Sequence, residues 1–293
     1  MPNVLANMAK LLRAAALLLA SAVLPSCSPV DALNATVSTD GVSVQRDLAF
    51  APGPRGMMDV YRPENGKTKL PLVVFFYGGS WNSGNKDDYK FVAAPLARQG
   101  VVVAVPDYRL VPEVRFPTFI EDNAKAVAFA RAHAAEWGAD PNRIFLMGHS
   151  AGGYDVLMLA MDPRYLAAVG MDRSKLAGVI TMAAPADFLP LDDAATIAAF
   201  GQVKDLEQTQ PVHFADGHNP PLLLLHGKDD RLVYLRNSQA MAARVEDADG
   251  PVTLKVYPGL GHIGIVTSFA PLFDGRAPVL QDVMDFIHLH PAP

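Results

Sequence analysis

Three side chains in this 293-residue chain are of the types that nucleophilic chemistry needs: Ser150, Asp230 and His262. A serine hydroxyl attacks only when a base accepts its proton and a carboxylate fixes the tautomer of that base. Ser150 stands in Gly148-His149-Ser150-Ala151-Gly152-Gly153. His262 closes Pro258-Gly259-Leu260-Gly261-His262, where glycines leave the imidazole room to swing over a sheet edge. The carboxylate is sought in His226-Gly227-Lys228-Asp229-Asp230-Arg231-Leu232-Val233, with Asp230 the candidate and Asp229 its rival. The chemistry open to such a set is acyl transfer.

Each of these residues depends on the element that delivers it. The apolar run Ile144–Met147 stops at Gly148, and Tyr154–Met161 has helical character. Strand, sharp turn and helix is the setting in which G-x-S-x-G becomes a nucleophile elbow. Glycines at 148 and 152 spare the turn a collision with the neighbouring strand and helix. The Ala151 N–H is left free at a helix start, where the dipole favours negative charge.

Elsewhere, Val42–Phe50 and Met57–Tyr61 flank a Pro/Gly turn and make an opening hairpin. From Leu70 strands and helices alternate. Strands are expected at Leu72–Tyr77, Val101–Val105, Ala177–Met182, Pro221–Leu225 and Val252–Tyr257. Helices are expected at Asp88–Arg98, Pro117–Trp137, Leu235–Asp247 and Pro278–His288, with a break at Gly138-Ala139-Asp140-Pro141. That order builds an α/β fold, a mostly parallel central sheet flanked by helices. Residues 183–220 leave room for a short helical cap and loops.

The motifs carry a family resemblance. From about Val42 to His288 the chain resembles the α/β-hydrolase superfamily. Within it the likeness is to small bacterial esterases, among them feruloyl- and acetyl-esterase-like proteins and relatives of kynurenine formamidase. The order Ser, Asp, His is that of the superfamily. Tyr77-Gly78-Gly79-Ser80-Trp81 resembles H-G-G-x-W, with Tyr77 where histidine is usual. His226–Val233 resembles H-G-x-x-D-x-x-V, which selects Asp230. Pro106-Asp107-Tyr108-Arg109-Leu110 and Asp140-Pro141-Asn142-Arg143 match further structural segments. The resemblance implies a carboxylesterase-type serine hydrolase with an oxyanion hole made of the N–H groups of Gly79, Ser80 and Ala151. It implies no cofactor, and Asp107 and Arg109 as loop buttresses. The short cap points to short-chain or accessible acyl groups. Two other readings stay open: amide hydrolysis of the formamidase or peptidase kind, and a non-catalytic binding lipoprotein.

Ahead of the domain, Lys10 and Arg13 precede the apolar run Ala14–Leu24. It is too short to span a bilayer and suits a secretory signal. Leu24-Pro25-Ser26-Cys27 resembles a bacterial lipobox, which makes Cys27 a candidate lipidation site. Residues 1–27 are thus expected to be a signal peptide, 28–41 a small polar tether, and 42–290 the catalytic domain. An exported protein of the cell envelope follows, on the periplasmic or outer-membrane side, touching membrane only through the lipid. Cys27 is the only cysteine, so an internal disulfide and a cysteine metal site are excluded.

Half the residues are hydrophobic and 19% charged, a globular balance. The net charge of −5 and the absence of a basic cluster argue against nucleic acid, and the resemblance implies a small-molecule ester as partner. His149 is expected to pack beside the site and Asp187 to cap a loop. His213 and His218 lack metal-ligand spacing, His288 and His290 lie on the tail, and no metal is implied.

Overall fold

The β-rich opening and the strand–helix alternation converge on one sheet. The computed structural model describes residues 28–273 and 275–293. The expected signal segment, Cys27 included, lies outside them. The sheet is built from β1 (Val42–Ala49), β2 (Met57–Pro63), β3 (Leu70–Phe76), β4 (Val102–Pro106), β5 (Ala139–His149), β6 (Gly178–Met182), β7 (Leu222–Gly227) and β8 (Val252–Tyr257). Their order is β1-β2-β4-β3-β5-β6-β7-β8. β1 and β2, and β2 and β4, pair antiparallel, whereas every pairing from β4 to β8 is parallel. The hairpin is therefore an antiparallel edge on a parallel core. The mostly parallel α/β sheet expected from the sequence is what the chain forms.

The interior strands are buried on both faces. From Leu72 to Phe76 every side chain is fully buried, as a sheet covered by helices on each side requires. The helices are α1 (Pro29–Ala35), α2 (Lys90–Arg98), α3 (Thr118–His133), α4 (Ala151–Met161), α5 (Pro163–Ala167), α6 (Ala194–Phe200), α7 (Arg236–Asp247), α8 (His262–Thr267) and α9 (Val279–Leu289). α3 is shorter than the sequence pattern promised. Its last turn tightens to a 3₁₀ helix at Ala134–Trp137, closed by Gly138 at φ 80°. The chain is already strand at Ala139, which pairs with Leu70, so the break anticipated over Gly138–Pro141 shrinks to Gly138.

Sheet order places the site. The chain leaves β3 toward β4 on one side and returns through β5 on the other. The carboxyl ends of β3 and β5 thus flank the point where strand order reverses, the usual ligand crevice of an open α/β sheet. Phe76 of β3 lies beside Gly148 of β5, so the loop after β3 and the turn after β5 emerge as neighbours.

The stretch 28–41 is not the plain tether its polar composition implied. Ser28 Oγ accepts the Asp31 N–H at 3.1 Å and the Asp31 carboxylate accepts the Ser28 N–H at 2.9 Å, a capping box that starts α1. Asn34 then docks the helix. Its Nδ2 donates to the carbonyls of Asp87 and Asp88 at 3.1 and 3.0 Å, and its Oδ1 accepts the Phe91 N–H at 3.0 Å. Val37 is buried beyond it. The polar side chains here act as caps and anchors, which composition alone does not distinguish from solvated linker. Asn34→Ala should lower unfolding stability by about 1–3 kcal/mol, read from the chemical-denaturation midpoint at unchanged m-value.

Candidate active site

Ser150 sits between β5 and α4 with φ 55° and ψ −122°, a conformation that L-residues adopt only under constraint. Its N–H donates to Met182 O of β6 at 2.9 Å. The glycines around it are needed because backbone fills the space. A Cβ on Gly148 would lie 2.2 Å from Gly152 O, and one on Gly152 2.2 Å from Phe76 O. One on Gly78 would meet the Ser150 side chain at 2.9 Å.

Ser150 Oγ lies 2.9 Å from His262 Nε2, and His262 Nδ1 lies 2.8 Å from Asp230 Oδ2. In the tautomer with the proton on Nδ1, the ring donates to Asp230 and accepts from the serine. β7 and β8 bring the acid and the base together, for Gly227 pairs with Tyr257 just before the two loops leave the sheet. His262 does not float on a loop as its glycines implied; it is the first residue of α8.

Asp230 is buried and held from several directions. Its Oδ1 accepts the N–H groups of Leu232 and Val233, both at 2.9 Å. His226 Nε2 lies 3.5 Å from Oδ2. Burial pushes the carboxyl up, but the bonds from His226, His262 and Leu232 outweigh it and hold the acid far below the usual carboxylate range. Its rival Asp229 serves otherwise: its Oδ2 accepts the Gly259 N–H at 2.9 Å, steadying the loop that leads to His262.

The loop after β3 is bent into unusual backbone. Gly79, Ser80 and Trp81 have φ of 131°, 52° and 59°. Among the described residues, the N–H groups of Gly79, Ser80 and Ala151 meet no main-chain acceptor. Ser80 and Ala151 line the same cavity as Ser150. Tyr77 braces this loop. Its hydroxyl donates to Asp107 Oδ1 at 2.7 Å and accepts from Arg55 Nη1 at 3.1 Å, and its carbonyl accepts the Tyr108 hydroxyl at 2.9 Å. Burial, then the charge of Asp107, keeps the phenol protonated and thus a donor. Asp107 is the buttress its motif promised, and Arg109 grips Asp122 of α3 with two bonds of 2.7 and 2.8 Å.

The cavity beside Ser150 holds about 180 Å³, walled by Trp81, Pro185, Phe188, Leu189 and Val233. The cap, residues 183–220, contributes α6 and 3₁₀ turns at Leu206–Thr209 and Pro211–Phe214. Phe200 of α6 packs edge-on against Trp81, ring centres 4.8 Å apart.

Some residues that matter here carried no signal in the sequence. Asn237 Oδ1 accepts the N–H groups of Ala186 and Asp187 at 3.0 and 2.9 Å, so the loop is fixed by Asn237 and the Asp187 carboxyl stays exposed. Arg55 comes from the opening hairpin, far away in the chain. His226 stood in the motif, and its ring ties Ser238 Oγ at 2.7 Å to Val233 O at 2.9 Å. No group of three His, Cys, Asp or Glu side chains that could hold a metal occurs among the described residues.

His149 packs beside the site, donating from Nε2 to His262 O at 3.0 Å. Burial, reinforced by the neighbouring His262, lowers it to about 3. Below about pH 7 the unfolded chain takes up a proton here that the folded chain refuses, so this residue costs stability as pH falls. His149→Gln removes that titration. Its melting temperature relative to the parent should therefore rise between pH 8 and pH 5; a constant difference would contradict the buried neutral ring.

The profile of the BD-FAE family matches residues 58–245. A probable isoprenylcysteine alpha-carbonyl methylesterase of Oryza sativa is 26% identical over 84% of this chain and 64% of its own length. Esterase LipC of Mycobacterium tuberculosis is 28% identical over 74% of this chain and 59% of its own. The chain thus spans less than two thirds of the length of either relative. Among solved structures, esterase B from Lactobacillus rhamnosis superposes with a TM-score of 0.77 at 21% identity, over 99% of this chain and 96% of that one. A bacterial heroin esterase gives 0.72 at 23% identity, over 88% of each. Those likenesses carry the α/β-hydrolase fold, and the profile match covers well over half of the sequence: the chain belongs to the BD-FAE family.

Proposed function

We propose that the protein is a carboxylesterase that cleaves short-chain or otherwise accessible esters through an acyl-enzyme on Ser150. The observation that carries this reading is the unbroken relay of 2.9 and 2.8 Å from Ser150 through His262 to Asp230, at the edge of a cavity. The esterase names of its relatives agree with it.

In this mechanism His262 Nε2 takes the Ser150 proton as Oγ attacks the ester carbonyl. The carbonyl oxygen, now negative, is received by the N–H groups of Gly79, Ser80 and Ala151. Asp230, ionised throughout the working range, holds the Nδ1 proton and stabilises the imidazolium. The imidazolium then protonates the departing alcohol, and water activated by the same base releases the acid. Phe188 and Leu189 line the cavity, and its small volume favours a short acyl chain.

The N-terminal segment supports an exported lipoprotein anchored at Cys27 in the cell envelope. Cys27→Ser expressed in a bacterial host should then shift the protein from the membrane fraction to the soluble periplasmic one; an unmoved distribution would refute the anchor.

The functional test is turnover of p-nitrophenyl acetate, butyrate and octanoate by the parent and by Ser150→Ala, beside fluorophosphonate labelling. Ser150→Ala should lose about four powers of ten or more in kcat and all labelling. Acetate and butyrate should outrun octanoate. Asp230→Asn should cost about 10⁴-fold in kcat, and Asp229→Asn far less. Comparable losses at 229 and 230 would undo the assignment of the acid.

A further inference from the structure

The carboxyl of Asp155 is buried in an unusual way. It lies on α4, five residues after Ser150, and is completely shielded from solvent. The other buried aspartates, Asp59, Asp107, Asp122, Asp162 and Asp230, each lie within 4 Å of an arginine, lysine or histidine nitrogen. Asp155 has no such partner among the described residues. Its Oδ1 accepts the indole N–H of Trp81 at 3.1 Å and its Oδ2 accepts from Asn123 Nδ2 at 2.8 Å. Burial raises it to about 8 against the pull of those two bonds. A carboxyl group without a cation is a costly way to fill interior space, so what it holds is informative.

What it holds is the loop after β3. Trp81 follows Ser80, whose N–H the mechanism uses, and both residues have left-handed backbone at φ 59° and 52°. Two consecutive non-glycine residues there store backbone strain. The strain persists only if Trp81 is held in place. Three things fix it: the bond to Asp155, the Val111 N–H donated to Trp81 O at 2.8 Å, and a cage of Phe119, Tyr154 and Phe200 rings. The indole N–H has Asp155 as its one hydrogen-bond acceptor among the described residues. The hydrogen bond to Asp155 sets the rotation and depth of the indole.

We propose that Asp155 is a positioning residue for the hydrolytic reaction, its hydrogen bond to the Trp81 indole holding the Gly79–Ser80 amides where the oxyanion forms. Because Asp155 and Ser150 belong to one helix and its entry turn, the bond couples nucleophile and oxyanion donors as one rigid unit. The role rests on the esterase reading above.

The test compares Asp155→Leu, Asp155→Asn, Trp81→Phe and the Trp81→Phe/Asp155→Leu pair. The readouts are kcat, KM and the affinity of an aryl trifluoromethyl ketone, whose bound form carries an oxyanion. Asp155→Leu and Trp81→Phe should each lower kcat by about tenfold to a hundredfold with KM little changed. Ketone affinity should fall in parallel, and the double variant should lose no more than the worse single one. Asp155→Asn should rescue turnover, since its Oδ1 still accepts from the indole and its Nδ2 can donate to Asn123 Oδ1 once the Asn123 amide turns over, an oxygen that has no partner among the described residues. A folded Asp155→Leu with parental kcat and ketone affinity would overturn the role. So would additive losses in the double variant, or a change in melting temperature alone. A parent inactive toward every ester would overturn the esterase reading and this role with it, whereas an active parent with an indifferent Asp155→Leu would overturn this role alone.

Discussion

The structure is organised by the backbone of Ser150, held where an L-residue does not rest on its own. A serine at φ 55° is stable only if its surroundings permit no alternative. Here β5 drives into the turn, Met182 O takes its N–H, and α4 begins at once behind it. The glycines at 148 and 152 are consequences, since any side chain there would overlap a neighbouring peptide. So is the adjacency of β3 and β5, because Gly152 presses on the end of β3 at Phe76. The fold can be viewed as the apparatus that keeps one hydroxyl projecting from the sheet.

Charge is distributed around that hydroxyl with matching economy. Asp230 stays ionised although buried, because two peptide N–H groups and two histidines address its oxygens. His149 lies against His262, ring centres 4.8 Å apart, yet adds no second positive charge, because its burial keeps it neutral. An ionised imidazole beside His262 would oppose protonation of the His262 ring. A negative charge is thus placed against the His262 ring, and a positive one beside that ring is excluded.

How much of this was legible in the sequence depended on whether position was encoded locally. The strands from β3 onward, the elbow, the loop carrying Asp230 and the glycine-rich stretch that leads to His262 are written in short stretches whose composition reflects burial or glycine geometry, and they were found. The choice between Asp229 and Asp230 also followed from a local pattern. The residues that were missed act across the chain. Arg55 and Asn237 are ordinary polar residues until the fold sets them against Tyr77 and the loop at Ala186. The capping box at Ser28 and Asp31 is a local signal that the overall polarity of residues 28–41 masked. The early end of α3 escaped because a 3₁₀ turn shares the hydrophobic pattern of the helix it extends.

The contact between Phe200 and Trp81 bears on how such a protein diversifies. Loops over a rigid scaffold are usually free to vary, which lets one fold acquire new substrates. In this chain the cap helix is packed edge-on against Trp81 of the loop after β3, not merely suspended above it. A lineage that exchanges its cap must therefore replace the packing of Trp81 in the same step. Selectivity and turnover would then change hands together, and new specificities would arise by coordinated substitution more readily than by wholesale loop replacement.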